Sequence, residues 1–113
     1  MKIIKTKRPW GNFERYCLNT KCTVKLLEIN PNEELSLQSH KKRNEFWKII
    51  NGPATITLGN KKHVAKSGDS VFIKKGVKHR IGSKGRKVLF LEVSLGTFDE
   101  KDEIRYSDDY GRK

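Results

Sequence analysis

The sequence contains few of the features that mark membrane, secreted or disulfide-rich proteins. No stretch approaches the roughly 20 apolar residues that a membrane-spanning helix requires, so we expect no membrane span. The N-terminus has no apolar segment of the kind that directs secretion. There are only two cysteines, too few for the disulfide framework of a small secreted domain. With 113 residues, the chain predicts one domain, residues 1–113, in the cytoplasm.

The two cysteines, Cys17 and Cys22, have neither the spacing of a redox C-x-x-C motif nor a second pair with which to hold zinc. We expect them to be reduced. The alternative is a disulfide, because Asn19 and Thr20 indicate a turn that would place the two thiols opposite each other across a hairpin.

Acidic residues are scarce: the chain has 13 of them against 25 lysines and arginines, and its net charge is +12. Such a chain attracts anions, among them nucleic acids, anionic membranes and phosphorylated metabolites. The lysines are spread over the whole sequence, which is typical of a solvated surface. No stripe of basic and aromatic residues favours nucleic acid. The even distribution of the positive charge therefore argues against a nucleic-acid binder, and the net charge does not identify the anion.

Sustained helical periodicity is absent before residue 99. Short alternating or β-branched runs are separated instead by turn signals such as Asn51-Gly52 and Gly59-Asn60. Turns at this spacing predict an all-β sandwich or barrel. We expect the tail from Asp99 onward to be a surface segment with one helical turn at most. The predicted strands are Cys22–Ile29, Leu35–His40, Glu45–Ile50, Ala54–Leu58, Lys62–Lys66, Ser70–Ile73, Lys78–Ile81 and Val88–Val93.

Four polar residues on or beside predicted strands have side chains that bind transition metals. Gln38 and His40 are two residues apart, so both side chains leave the same face of one strand. A basic turn then returns the chain antiparallel, which places Glu45 beside His40, and His79 lies on a later strand. Imidazole nitrogens, a carboxylate and an amide oxygen suit a divalent first-row ion with an open coordination position. Hydrogen-bonded histidines without a metal are the alternative.

The spacing of these residues resembles the two motifs of the cupins. The first is Gln38-x-His40-x4-Glu45-x6-Gly52, and the second is Gly68-Asp69-x5-Lys75-Gly76-x2-His79. Five segments in family order are similar to the cupin domain of type II phosphomannose isomerases. This resemblance implies an all-β cupin fold, a double-stranded β-helix or jelly-roll barrel. The five segments are Arg8–Glu14, Leu35–His40, Arg43–Trp47, Gly76–Arg80 and Asp108–Arg112.

The resemblance implies that the chain interconverts mannose 6-phosphate and fructose 6-phosphate on a bound divalent metal. Zinc is the expected ion, with manganese, cobalt, nickel or iron as alternatives. Two-domain members carry a mannose-1-phosphate guanylyltransferase domain before the cupin. Since this sequence has no N-terminal Gly-rich phosphate loop, we do not expect nucleotidyl transfer from it alone. Lys74 and Ser94 stand where the family usually has proline and glutamine, which leaves the exact sugar open. The implied metal ligands are Gln38, His40, Glu45 and His79.

Two residues are assigned to the catalytic group. Glu92 lies in the apolar run Phe90–Val93, where loss of solvation would raise the pKa of its carboxyl and suit it to act as a base. A buried salt bridge, or a partner that orients a metal ligand, is the alternative role. Arg80 is the second residue, as a cation for the substrate. Because it follows His79 directly, it reaches the pocket only if the strand bulges or ends there.

Phosphate recognition requires cations at the mouth of the barrel. Arg43, on the turn before Glu45, is the main candidate, because a guanidinium binds phosphate through two hydrogen bonds. Lys42 and Lys78 are expected to add positive charge. The predicted partner is therefore a sugar phosphate.

Two leucines lead to a prediction about assembly. Leu35 and Leu37 alternate with Gln38 and His40, so they face out of the predicted barrel and need cover. The N-terminal strand and a second copy of the chain could both provide it, and we expect a two-fold homodimer through that outer sheet. Other functions stay open: a cupin that binds a sugar phosphate without catalysis, a partner subunit of a separate guanylyltransferase, or an iron oxygenase.

Overall fold

Antiparallel strands make up most of the structure, as the turn spacing predicts. The computed structural model describes residues 3–107, and the predicted motif at Asp108–Arg112 lies outside them. Within the described residues the one helical element is a 3-10 turn, Glu100–Asp102, and no helix is long and apolar enough to cross a membrane. The strands are β1 Ile4–Arg8, β2 Gly11–Arg15, β3 Cys22–Ile29, β4 Leu37–His40, β5 Asn44–Asn51, β6 Ala54–Leu58, β7 Lys61–Ala65, β8 Ser70–Ile73, β9 His79–Ser83, β10 Val88–Leu95 and β11 Glu103–Ser107.

The strands form two larger sheets and a separate hairpin. One sheet has the order β3-β10-β5-β8, the other has the order β11-β4-β9-β6-β7, and β1 pairs with β2. From β3 to β11 the chain crosses between the two sheets at every connection except the β6–β7 hairpin. This winding is that of a double-sheet jelly roll. The all-β prediction is confirmed.

The eight predicted strands are all present, and β3, β6 and β8 have the predicted bounds. The sequence analysis does not predict the N-terminal hairpin or β11. The tail from Asp99 contains the expected helical turn, but Glu103–Ser107 then pairs with β4, which corrects the expectation of a plain surface segment. The segment Glu103–Ser107 is mainly polar, and the partner strand of β11 is distant in sequence.

The inward rows of β5 and β10 change from apolar to polar toward one end of the barrel. Ile49 lies opposite Phe90, Trp47 opposite Glu92, and Glu45 opposite Ser94. Because inward side chains alternate with period two, the apolar pairs join one buried core while the polar pairs gather at the other end. That core includes Trp47, Ile49, Ile56, Ile81, Val88 and Phe90.

The hairpin β1–β2 packs against the outer face of the four-stranded sheet. Lys48 Nζ lies 3.2 Å from a carboxylate oxygen of Glu14, and the Tyr16 ring centroid is 5.1 Å from that of Phe46. Phe46 is therefore buried, although it alternates with the inward residues of β5.

The chain before β4 does not share the alternation of that strand. The Leu35 backbone N–H donates to the Ile81 carbonyl oxygen over 3.0 Å, and the Leu35 side chain packs against the core. The expectation that Leu35 faces outward with Leu37 is wrong, because β4 begins only at Leu37 and its period does not extend upstream.

Candidate functional site

Three buried side chains from three different strands meet at the polar end of the barrel. His40 ends β4, Glu45 is the second residue of β5, and His79 begins β9. One ligand atom from each lies within 4.8 Å of the others. Glu45 Oε1 is 3.2 Å from His79 Nε2 and 3.6 Å from His40 Nε2. The structure therefore brings three of the four predicted ligands into an arrangement that could hold a metal ion. We call these three residues the His-Glu-His cluster.

Hydrogen bonding around the cluster leaves two acceptors facing each other. His79 Nδ1 lies 2.9 Å from the Val77 carbonyl oxygen, so in the neutral ring Nδ1 carries the proton and Nε2 presents a lone pair. Glu45 Oε1 faces that lone pair and has no hydrogen-bond partner among the described residues. A cation bound to both atoms would satisfy them. The donor chemistry of the cluster therefore fits a divalent metal.

The pKa values of two members favour the protonation states that bind metals. Burial lowers the pKa of His40 to about 4, against the opposing charge of Glu45, so this ring is neutral at about pH 7. Burial acts to raise the pKa of Glu45, but the contacts with His79, His40 and Arg43 outweigh it and lower this pKa to about 2. Neutral imidazole and ionised carboxylate are the ligand forms.

Glu45 of this cluster lines a cavity of about 400 Å³. Gln38 lines this cavity and lies opposite His79 in the β4–β9 pairing. Its amide nitrogen donates to Ser36 Oγ over 3.0 Å. This hydrogen bond orients the amide so that its oxygen is available to a cation. Charged side chains from both sheets complete a mainly polar lining, which suits a hydroxylated and charged ligand.

Glu92 lines the same cavity from β10. One of its oxygens accepts a hydrogen bond from Trp47 Nε1 over 3.3 Å. Burial, reinforced by the negative charge of Glu45, raises the pKa of Glu92, as its place in an apolar run predicts. A partly buried carboxyl with a raised pKa beside this cluster has the properties of a general base.

Arg43 is buried against the His-Glu-His cluster rather than exposed at the mouth of the barrel. Its Nε donates to Glu45 Oε2 over 3.0 Å, and its Nη2 lies 3.2 Å from His40 Nε2. The ring of Phe98 covers the guanidinium at 4.2 Å. These contacts favour a role in holding the Glu45 carboxylate, and the predicted role of Arg43 in phosphate binding stays a prediction.

Comparison with known proteins assigns the chain to a family. The family model described as mannose-6-phosphate isomerase C-terminal matches residues 2–109. The chain belongs to this family. The predicted resemblance to the cupin domain of phosphomannose isomerases is therefore confirmed.

Curated relatives of the family are much longer than this chain. The xanthan biosynthesis protein XanB of Xanthomonas campestris is 34% identical over 110 residues, which are 96% of this chain and 24% of XanB. A mannose-1-phosphate guanylyltransferase of Salmonella montevideo is 36% identical over 107 residues, 93% of this chain and 23% of that protein. The alginate biosynthesis protein AlgA of Pseudomonas aeruginosa is 33% identical over 107 residues, 93% and 22% of the two chains. The chain spans about a quarter of the length of these relatives.

Solved structures share the fold of this chain. The capsular polysaccharide assembling protein CapF of Staphylococcus aureus has a TM-score of 0.70 at 15% identity, over 94% of this chain and 34% of CapF. A cupin protein of Bacteroides fragilis has a TM-score of 0.62 at 22% identity, over 73% of this chain and 72% of that one. At these identities the likeness shows the fold alone, and it confirms the predicted cupin barrel.

Arg80 does not join the site of this family member. Its Nε donates to the Leu35 carbonyl oxygen over 2.8 Å, and its guanidinium pairs with Glu34 at 3.1 Å and contacts Ser107. The pairing of β9 with β6 is regular through this position, so Arg80 points to the face opposite His79. The bulge that a catalytic Arg80 would need is not there in the described part of β9; these contacts do not favour its assignment to the catalytic group, which stays a prediction.

The two lysines predicted to bind phosphate also lie outside the cavity lining. Lys42 is exposed on the turn before β5, where its backbone N–H donates to an Asp102 carboxylate oxygen over 2.8 Å. Lys78 Nζ lies 4.3 Å from the centroid of the Tyr106 ring. Lys78 is adjacent to the inward His79, and adjacent residues of an extended chain point to opposite faces.

Two other cations, Lys25 on β3 and Arg105 on β11, line the cavity instead. Lys25 lies opposite Glu92 in the β3–β10 pairing, and its Nζ is 4.2 Å from the centroid of the Phe98 ring. Lys25 alternates with Leu27 and Ile29, which was a usable signal for an inward position. Arg105 gave no such signal, because the sequence analysis does not predict β11.

Proposed function

We propose that this chain is an isomerase that interconverts mannose 6-phosphate and fructose 6-phosphate in the cytoplasm. The observation that carries the proposal is that Glu45, a member of the His-Glu-His cluster, and the Glu92 carboxyl line one cavity. Membership of the mannose-6-phosphate isomerase C-terminal family supports the same reaction. The proposal concerns this chain by itself, which spans only part of its longer relatives.

We assign Gln38 and the His-Glu-His cluster as ligands of a divalent metal, with zinc as the first choice because nitrogen and oxygen ligands of this kind suit it. When bound, the metal supplies a Lewis acid that polarises the sugar oxygens and offsets developing negative charge. Arg43 holds the Glu45 carboxylate in position through its hydrogen bond of 3.0 Å.

Glu92 moves the proton in this proposal. Its carboxylate removes the proton from C2 of the open-chain aldose while the C2 hydroxyl proton passes to the C1 carbonyl oxygen, which gives an enediolate. The Glu92 carboxyl then returns the proton to C1 as the C2 oxygen becomes the carbonyl of the ketose. The Trp47 indole fixes Glu92 Oε2 and leaves Oε1 for the sugar. The raised pKa of Glu92 lets the carboxyl hold the proton between the two steps.

A matched pair of carboxylate substitutions tests the role of Glu92. Glu92→Gln preserves the shape but cannot accept a proton, so we expect kcat to fall on the order of a hundredfold while KM and metal content stay near the wild-type values. Glu28→Gln removes an exposed carboxylate of β3 that pairs with Lys87, and should leave kcat unchanged. A coupled assay of fructose 6-phosphate formation by the metal-loaded chain measures both. Equal kcat values for the two variants would contradict the assignment.

A second candidate function is binding of a sugar phosphate without turnover, alone or as a subunit that serves a separate guanylyltransferase. The observation that favours it is that relatives named mannose-1-phosphate guanylyltransferase match this chain over only about a quarter of their length. Stabilisation of the chain by mannose 6-phosphate in a thermal melt, with no turnover at any metal loading, would select this candidate.

We also propose that the chain forms a homodimer. Val24 and Leu26 lie on β3, an edge strand of the four-stranded sheet in the described structure, and they are 55% and 62% exposed. Exposed apolar residues on an edge strand suit pairing with a second copy. Because Leu35 is inside the barrel, we propose the interface at the four-stranded sheet rather than at the sheet that contains Leu37. Light scattering should give twice 13.1 kDa for the wild type and 13.1 kDa for Leu26→Glu; a monomeric wild type would contradict the proposal.

A further inference from the structure

We infer that Arg105 and Lys25 form the subsite for the phosphate group of the substrate, an inference that rests on the proposed sugar-phosphate isomerase function. The two side chains belong to β11 and β3, edge strands of opposite sheets in the described structure. Both line the cavity that Glu45 of the His-Glu-His cluster also lines. A phosphate between them would be held from both walls of the cavity.

Arg105 faces inward and is only partly paired. It lies opposite Gln38 in the β11–β4 pairing, so the two side chains share a face of the sheet. Its Nη2 is 2.6 Å from Glu103 Oε2, while its Nε is buried and has no hydrogen-bond partner among the described residues. The side chain is 33% exposed and lines the cavity, so its guanidinium is accessible to a phosphate oxygen, an acceptor of the complementary charge.

The position of Arg105 in the sheet suits the length of the substrate. Arg105 lies opposite Gln38, which in turn lies opposite His79, a cluster residue. Since β11, β4 and β9 are successive strands, Arg105 is displaced from His79 across the sheet by two strand spacings, about 10 Å. The reacting carbons C1 and C2 of a hexose 6-phosphate are at the opposite end of the sugar from its phosphate, so the phosphate site must be displaced from the cluster in this way.

The other cations of the protein are less suited to this role. Arg43 is the third cation of the cavity lining, and its guanidinium already contacts Glu45 and His40. Lys42, Lys78 and Arg80 do not line the cavity of about 400 Å³. Lys25 is exposed, which leaves its Nζ accessible to a ligand in addition to its contact with the Phe98 ring. Arg105 therefore supplies directed hydrogen bonds, and Lys25 adds positive charge.

Binding of an inert analogue separates phosphate recognition from catalysis. The probe is 1,5-anhydromannitol 6-phosphate, which cannot open to an aldehyde, and unphosphorylated 1,5-anhydromannitol is its partner. By titration calorimetry on the metal-loaded chain, we expect Arg105→Gln to weaken binding of the phosphorylated probe tenfold or more, because a charge-assisted hydrogen bond is lost. Lys25→Gln should weaken it severalfold, and Arg105→Lys should recover part of the loss. Arg86→Gln, at an exposed turn, is the matched control and should bind as the wild type does.

Two results would overturn the subsite: Arg105→Gln binding the phosphorylated probe as tightly as Arg86→Gln does, or a wild type that binds both probes equally. Thermal melts and metal analysis establish that each variant is folded and loaded. If Arg105→Gln does not fold, wild-type affinity in both Arg105→Lys and Lys25→Gln overturns the subsite. The probe is not turned over. Weaker binding of the phosphorylated probe alone by Arg105→Gln therefore supports the subsite, even if the wild type has no isomerase activity. Full isomerase activity with unchanged binding in Arg105→Gln refutes the subsite and leaves the proposed function standing.

Discussion

At the scale of single residues, Glu45 is the centre of the candidate site. Its Oε2 accepts hydrogen bonds from Arg43 Nε at 3.0 Å and from Ser94 Oγ at 3.1 Å, while its Oε1 faces His40 and His79. One oxygen is thus held by the protein and the other is directed at the two imidazoles. This division of roles is what a carboxylate ligand with an orienting partner requires.

Loss of one imidazole should abolish stable metal binding. We expect the chain loaded with zinc and then desalted to retain about one ion per chain, and His79→Ala to retain almost none, because a three- or four-ligand site loses a ligand. His63→Ala is the matched control, since His63 is exposed on β7. Mass spectrometry of the metal content measures all three proteins. Full metal content in His79→Ala would show that the cluster is not the site.

Glu92 should lower the stability of the protein at high pH. Its pKa is raised in the folded chain, chiefly by burial, so the folded state holds this proton more tightly than the unfolded state does. The resulting stabilisation is present below the unfolded pKa and is lost as the pH rises through the folded pKa. Glu92→Gln cannot ionise, and we expect its melting temperature relative to that of the wild type to increase between about pH 4 and about pH 8. Melts in the presence of a chelator test this. A constant difference, like that expected for Glu28→Gln, would contradict the burial of this charge.

At the scale of the strands, the alternation of side chains between the two faces explains which site residues could be predicted. Period-two alternation places Gln38 and His40 on one face, and the same rule turns Arg80 away from His79, as the structure shows. Arg105 could not be found in this way, because β11 is short and pairs with β4, more than sixty residues earlier. Neither local propensity nor alternation records such a long-range pairing.

The connection between β2 and β3 holds the two cysteines close together. Cys17 Sγ and Cys22 Sγ are 3.4 Å apart, and both thiols are free in the structure. The contact with Cys17, together with burial, raises the pKa of Cys22 and disfavours its thiolate. The two thiols are close, but not across a hairpin: Cys17 lies outside the strands, and β2 pairs with β1 rather than with β3.

We expect thiol titration of the denatured, unreduced protein to find both thiols free. Diamide, a thiol oxidant, should then join them within one chain and lower the mass by two hydrogens, while Cys22→Ser should not form this link. Zero thiols before oxidation would show that the disulfide forms without an added oxidant. Two thiols remaining after oxidation would contradict the proximity of the sulfur atoms.

At the scale of the whole molecule, the jelly-roll winding assembles the site from distant parts of the chain. Lys25, Glu45, Glu92 and Arg105 line one cavity although they belong to four strands in two sheets. The resemblance to cupins predicts this barrel and the ligands contained in its two motifs. Which cations line the cavity depends on the direction in which the side chains of each edge strand point. The two motifs do not contain that information.

The central claim is that this chain, loaded with metal, moves a proton between C1 and C2 of a hexose 6-phosphate. The most direct test is proton NMR of mannose 6-phosphate incubated with the metal-loaded chain in heavy water. We expect the C2 proton signal to diminish as deuterium replaces it, fructose 6-phosphate to form, and Glu92→Gln to leave both almost unchanged. Neither deuterium at C2 nor fructose 6-phosphate in the wild-type reaction, with the metal bound and the chain folded, would contradict the isomerase assignment.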